Sequence, residues 1–163
     1  MSTSVTSVCE STGSVDQVFA TLTSPEWVAT RAQSFGDGAQ VTQHELRPDG
    51  GVLLVVSREL PGGVPGFLER FLPKDGRVVE TFDWSPAAGD GTRRGSWKAD
   101  IPGAPAKLGG TMRLEPTATG SRYTIEGDVK VSVPFVGGRA EGFIAGMVEK
   151  LAAKEHELLV TTL

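Results

Sequence analysis

The chain has 163 residues, 39% of them hydrophobic and 22% charged, with a formal net charge of −4. Those are globular proportions at a length that builds one core, and they exclude a disordered chain. With no basic excess and no run of about 18 apolar residues, neither a nucleic-acid partner nor a membrane span is expected.

The opening MSTSVTSVCESTG has no basic n-region and no apolar h-region, so no secretory signal is expected. Cys9 is the one cysteine. A cytoplasmic protein without disulfide, metal or other cofactor is the expectation. Residues 3–10 alternate and are rich in Ser, Thr and Val, which predicts a first strand. Ser14 with Gln17 three positions on forms a capping box, and Val15, Val18, Phe19 and Leu22 give the helix behind it an apolar face. Ser24-Pro25 starts a second short helix, with serine at the N-cap and proline at N1.

From there strands dominate. Residues 39–48 and 51–60 flank Asp49-Gly50, a hairpin signal. Residues 61–73 are bounded by prolines and carry Phe67, Leu68, Phe71 and Leu72 at helical spacing, which suits a short helix or a movable flap. Strands follow at 76–84, 92–102, 106–116 and 121–134, and a long helix runs from about Val136 to near Thr161. One strand, two short helices, about six antiparallel strands and a final long helix predict an α+β fold, a curved sheet of about seven strands gripping the last helix.

The segments ETFDW (80–84), IPGAPAKLGGTMRLEP (101–116) and VSVPFVGGRAEGFIA (131–145), set in that order of elements, resemble the START-like superfamily, also called polyketide-cyclase-like or SRPBCC, with its helix-grip fold. Within it the chain is similar to a bacterial family described as a domain of unknown function. The resemblance spans nearly the whole chain and implies a single ligand-binding domain over 1–163, with a deep cavity for an apolar or amphipathic molecule. It does not imply one chemistry, since such folds host carriers, cyclases and other functions.

On a helical wheel of about 100° per residue with Phe143 at 0°, Val136, Ala140, Ile144, Met147, Val148, Leu151 and Leu158 form one apolar stripe between about 20° and 140°. Gly138, Gly142 and Gly146 fall on the other side, at about 220° to 300°. Either that side faces solvent, or it is a flat face for a second protomer, as in a homodimer, or for the 61–73 segment.

Strand alternation places Val52, Leu54, Val56, Arg58 and Leu60 on one face, and likewise Val78, Glu80, Phe82 and Trp84. Arg93, Gly95, Trp97, Ala99 and Ile101 share a third face, and Tyr123 to Val133 give a fourth. These are the expected concave surfaces. Arg58, Glu80 and Arg93 are charges among apolar neighbours, so they reach solvent at strand ends or pair and meet a guest. The expected ligand-binding set is Arg58, Phe67, Phe71, Glu80, Trp84, Arg93, Trp97, Phe143 and Met147.

His44 and His156 lie in no metal-binding spacing, and no nucleophile-elbow or phosphate-loop motif occurs. A Cys9–His44 nucleophile is conceivable beside the simpler reading of Cys9 as a small strand residue. Three functions follow. The first is binding of a small hydrophobic or amphipathic molecule. The second is a cyclase- or dehydratase-like enzyme with Glu80 or His44 as acid or base, assisted by Arg58 or Arg93. The third is a protein-interaction module using the glycine face.

Overall fold

The computed structural model describes residues 2–163. Strand β1 (Thr3–Ser11) is followed by helices α1 (Val15–Leu22) and α2 (Pro25–Phe35). Strands β2 (Gln40–Leu46) and β3 (Val52–Glu59) lead to a one-turn helix α3 (Gly66–Glu69). Strands β4 (Arg77–Trp84), β5 (Arg93–Asp100), β6 (Ala106–Thr117) and β7 (Gly120–Val131) precede the final helix α4 (Gly137–Thr162). Every pairing is antiparallel, in the order β1-β7-β6-β5-β4-β3-β2. The α+β arrangement and the seven-stranded sheet match the expectation.

Local chemistry explains the boundaries. The Gln17 amide donates to Ser14 Oγ at 3.1 Å and the Ser14 amide to Gln17 Oε1 at 2.9 Å, completing the capping box. Ser24 Oγ accepts from the Trp27 amide, with Pro25 inside the first turn. Gly50 takes φ +93° in the β2–β3 turn, a region that favours glycine. Edge strand β2 is mostly exposed and bulged between Val41 and Gln43, features that discourage further strand pairing.

One cross-sheet row bears on the sheet's curvature. Leu54, Phe82, Trp97, Gly110 and Gly127 stand side by side from β3 to β7. A Cβ on Gly110 would collide with the Glu126 carbonyl and the Gly127 Cα; one on Gly127 would lie 2.7 Å from the Trp97 ring. The missing side chains let β6 and β7 close up, and they leave the floor on which the Trp97 indole lies. Its Nε1 donates to the Glu126 carbonyl at 3.1 Å.

Two hydrophobic clusters fill the concave face. Under α1 and α2 lies a closed core of Val18, Phe19, Leu22, Val28, Leu54, Trp84, Leu114 and Leu159. Each such large side chain contributes about 1.5–3 kcal/mol when fully buried. Under the first half of α4 lies the second cluster, with Val5, Leu68, Val78, Leu108, Val129 and Ala140. Glu141, 5% exposed, ties α4 down: its carboxylate accepts from the Val131 amide at 2.9 Å and from Thr3 Oγ1 at 3.3 Å.

The fully buried positions of α4 are Ala140, Glu141, Ala145, Ala152, Glu155 and Leu159. The apolar stripe is therefore rotated from the expected centre: Met147 and Leu151 are half-buried and face open space rather than close-packed core. Gly138, Gly142 and Gly146 are exposed, and a Cβ at any of them would meet nothing within 4 Å. Gly142→Ala and Gly146→Ala should each stabilise the fold by up to about 1 kcal/mol through helix propensity and a stiffer unfolded chain. Melting with light scattering checks this; a lower melting temperature or a changed oligomeric state would instead mark a contact face.

Candidate ligand-binding site

The second cluster does not close. Between the sheet and α4 it leaves a cavity of about 150 Å³, roughly ten times the minimum that holds one water. The sheet supplies Val78, Phe82, Trp97, Ala99, Leu108 and Ile125 to its wall. Helix α4 supplies Phe143, Ile144, Met147, Val148 and Leu151. The 60–72 segment closes one side with Leu60, Val64, Leu68 and Phe71. Leu68, 6% exposed, is the anchor of that segment.

The charged residues of the lining are four: Arg31 on α2, Arg58 on β3, Glu80 on β4 and Glu155 on α4. All are at least 92% buried. Arg31 holds Glu80 with both terminal nitrogens, each at 3.2 Å, and its Nε donates to Glu155 Oε2. Arg58 Nε donates to Glu80 Oε1 at 3.2 Å. The bidentate fork and the shared carboxylate form one network. Burial opposes ionisation of Glu80, but the Arg31 and Arg58 guanidiniums outweigh it and hold its carboxyl below the usual range. Burial likewise works against the Arg31 charge, and Glu80 and Glu155 more than offset it, raising its pKa. The Arg31 guanidinium also stacks on Phe35 at 4.5 Å and on Phe82 at 5.2 Å.

Beside Glu155 stands Tyr123, whose phenol is pushed well above its ordinary range by burial and by the Glu155 carboxylate. The network leaves two buried atoms with no hydrogen-bond partner, Arg58 Nη1 and Glu155 Oε1. Such orphans are costly in a dry interior.

Of the residues expected at a site, Arg58, Phe71, Glu80, Trp97, Phe143 and Met147 line this cavity. Three do not. Trp84 is 1% exposed in the closed core, edge-on to Phe19 at 5.5 Å, because α1 covers that end of the concave face. Arg93 lies in the same region, its guanidinium 3.8 Å above the Phe19 ring. Phe67 is half-buried against the second cluster with the Arg139 guanidinium 4.1 Å over its ring, and the cavity is lined instead by its neighbour Leu68. Gly95 also belongs to the closed side, where a Cβ would sit 2.7 Å from the Asp83 carbonyl and 3.2 Å from Trp84.

The nucleophile reading fails on topology: Cys9 on β1 and His44 on β2 occupy opposite edges of the sheet. Burial, with Glu155 nearby, also raises the Cys9 thiol above its ordinary value. His44 is exposed and outside the cavity.

Comparison with known proteins fits this architecture. Uncharacterised proteins from Mycobacterium tuberculosis and Mycobacterium bovis are each 28% identical over 152 residues, 88% of this chain and 87% of theirs. A crystal structure from Thermus thermophilus superposes with a TM-score of 0.62 at 14% identity, covering 98% of this chain and 99% of that one. A STAR-related lipid transfer protein from Xanthomonas axonopodis gives 0.65 at 13% identity, covering 96% and 83%. At such identities the likeness establishes a shared START-like fold and nothing finer. Residues 6–163 match the family described as protein of unknown function DUF2505, and the chain belongs to that family.

Proposed function

We propose that the protein binds a small hydrophobic or amphipathic molecule in the cavity between the sheet and α4, as a carrier or sensor rather than a catalyst. The observation that carries this reading is the cavity itself. Domain interiors pack to crystal-like density, yet here a row of apolar side chains on α4 faces a row on the sheet across about 150 Å³. A mostly apolar wall with a few fixed polar groups is the usual composition of a small-molecule site. The lipid transfer protein that shares the fold adds support by analogy only. Glu80 is a poor general base in this setting, since two arginines stabilise its ionised form.

The proposed contacts are Phe71, Trp97, Phe143 and Met147 for the apolar body, with Arg58 and Glu80 at the charged end. A polycyclic aromatic hydrocarbon should change tryptophan emission at micromolar concentration through Trp97. Val148→Phe, which puts a larger side chain into the open space, should reduce its affinity at least tenfold while the circular dichroism spectrum stays native. An unchanged affinity in a folded Val148→Phe protein, or no emission change in the parent, would refute this placement of the ligand.

A further inference from the structure

The charged end of the cavity restricts what the guest can be. Four charged residues line the wall, two arginines and two glutamates, and their formal charges cancel. Arg31 commits its whole fork to Glu80 and Glu155, and Arg58 gives its Nε to Glu80. Two buried atoms of the network have no partner in hydrogen-bond geometry, although the Tyr123 phenol stands beside the Glu155 carboxylate: Arg58 Nη1, which can only donate, and Glu155 Oε1, which can only accept. Arg58 is 4% exposed and Glu155 3%, so bulk water does not serve them. The groups nearest Glu155 add no charge of their own at neutral pH: burial and Glu155 raise both the Tyr123 phenol and the Cys9 thiol, and burial lowers the half-buried His156 imidazole despite Glu155.

Resting on the carrier reading above, we infer that the guest carries an uncharged hydrogen-bonding head, a hydroxyl above all, which is held by Arg58 Nη1 or by Glu155 Oε1. A carboxylate head would answer Arg58 but would bring a third negative charge beside Glu80 and Glu155. An ammonium head would answer Glu155 but would bring a third positive charge beside Arg31 and Arg58. Either leaves a net charge in an apolar interior, which is the expensive arrangement. A hydroxyl donates and accepts through one oxygen, so it answers either orphan and leaves the charges balanced.

The test compares octanol, octanoate and octylammonium, which share a tail and differ in the charge of the head. Binding to the full chain at pH 7 is followed by tryptophan emission. Octanol should bind at least tenfold more tightly than either ion. Glu155→Gln keeps an acceptor for Arg31 Nε but makes the lining net positive, and should move the octanoate-to-octanol affinity ratio at least tenfold toward octanoate. Arg58→Gln should move the corresponding ratio toward octylammonium. Equal or tighter binding of either ion to the parent protein would overturn the inference while leaving the carrier reading intact. Ratios unmoved in a folded Glu155→Gln or Arg58→Gln protein would overturn it too. Binding of none of the three would overturn the carrier reading and this inference with it. Should one variant not fold, the parent comparison and the other variant still decide.

Discussion

Glu80→Gln is expected to destabilise the fold by about 3–5 kcal/mol, the usual cost of removing one partner from a buried ion pair. Glu80 accepts from both arginines, so its neutral replacement leaves Arg31 with the carboxylate of Glu155 alone and Arg58 with no carboxylate partner. The native pKa of Glu80 lies below its ordinary value of 4.5. Its contribution to stability is therefore complete above that value and is lost as the pH falls through the native pKa. Urea melts from pH 7 down to pH 3 should show that acid loss in the parent and much less of it in Glu80→Gln. A second variant separates charge from shape. Glu80→Leu combined with Arg58→Leu removes one positive and one negative charge and leaves the Arg31–Glu155 pair, so it should be less destabilising than Glu80→Leu alone. A Glu80→Gln cost under about 1 kcal/mol would mean that the network is hydrated rather than dry.

Much of that network is legible in the sequence. Arg58 and Glu80 stand out because each interrupts an apolar face at a spacing of two. Arg31 follows the same logic at helical spacing. It lies with Val28, Ala32 and Phe35 on the buried face of α2, and no apolar side chain occupies its place. On the wheel that orders α4, Glu155 falls at about 120°, inside the apolar stripe, and Glu141 at about 160°, on its margin. A charge within an apolar stripe is the signal that would have found all three. What the sequence does not encode locally is the partnership, since Arg31 meets Glu155 across 124 residues. Nor does it say which end of the concave face α1 and α2 cover. That tertiary choice buries Trp84 and places Arg93 over Phe19, and so it divides one apolar surface into a closed core and an open cavity. The caps, the hairpin turn and the strand limits were readable because backbone conformation and hydrogen bonds within a few residues decide them.

The same substitution should act with opposite sign at two kinds of glycine, and the contrast tests where the cavity comes from. On α4 a methyl group at Gly142 enters open space. At Gly110 it would be driven into the Glu126 carbonyl and the Gly127 backbone, and backbone cannot move aside as the end of a side chain can. Gly110→Ala should therefore cost at least about 3 kcal/mol, at or beyond the upper end of ordinary overpacking, because β6 and β7 must separate at the Gly110–Gly127 pair. Separation would also lift the Trp97 indole from its floor and break its bond to the Glu126 carbonyl. Two readouts should then move together: a lower denaturant midpoint and red-shifted tryptophan emission. Any fraction that remains folded should bind the aromatic probe more weakly, since Trp97 is part of the cavity wall. A Gly110→Ala protein of parental stability and unchanged emission would show that β6 and β7 do not approach this closely, and that the sheet's curvature over the cavity arises elsewhere.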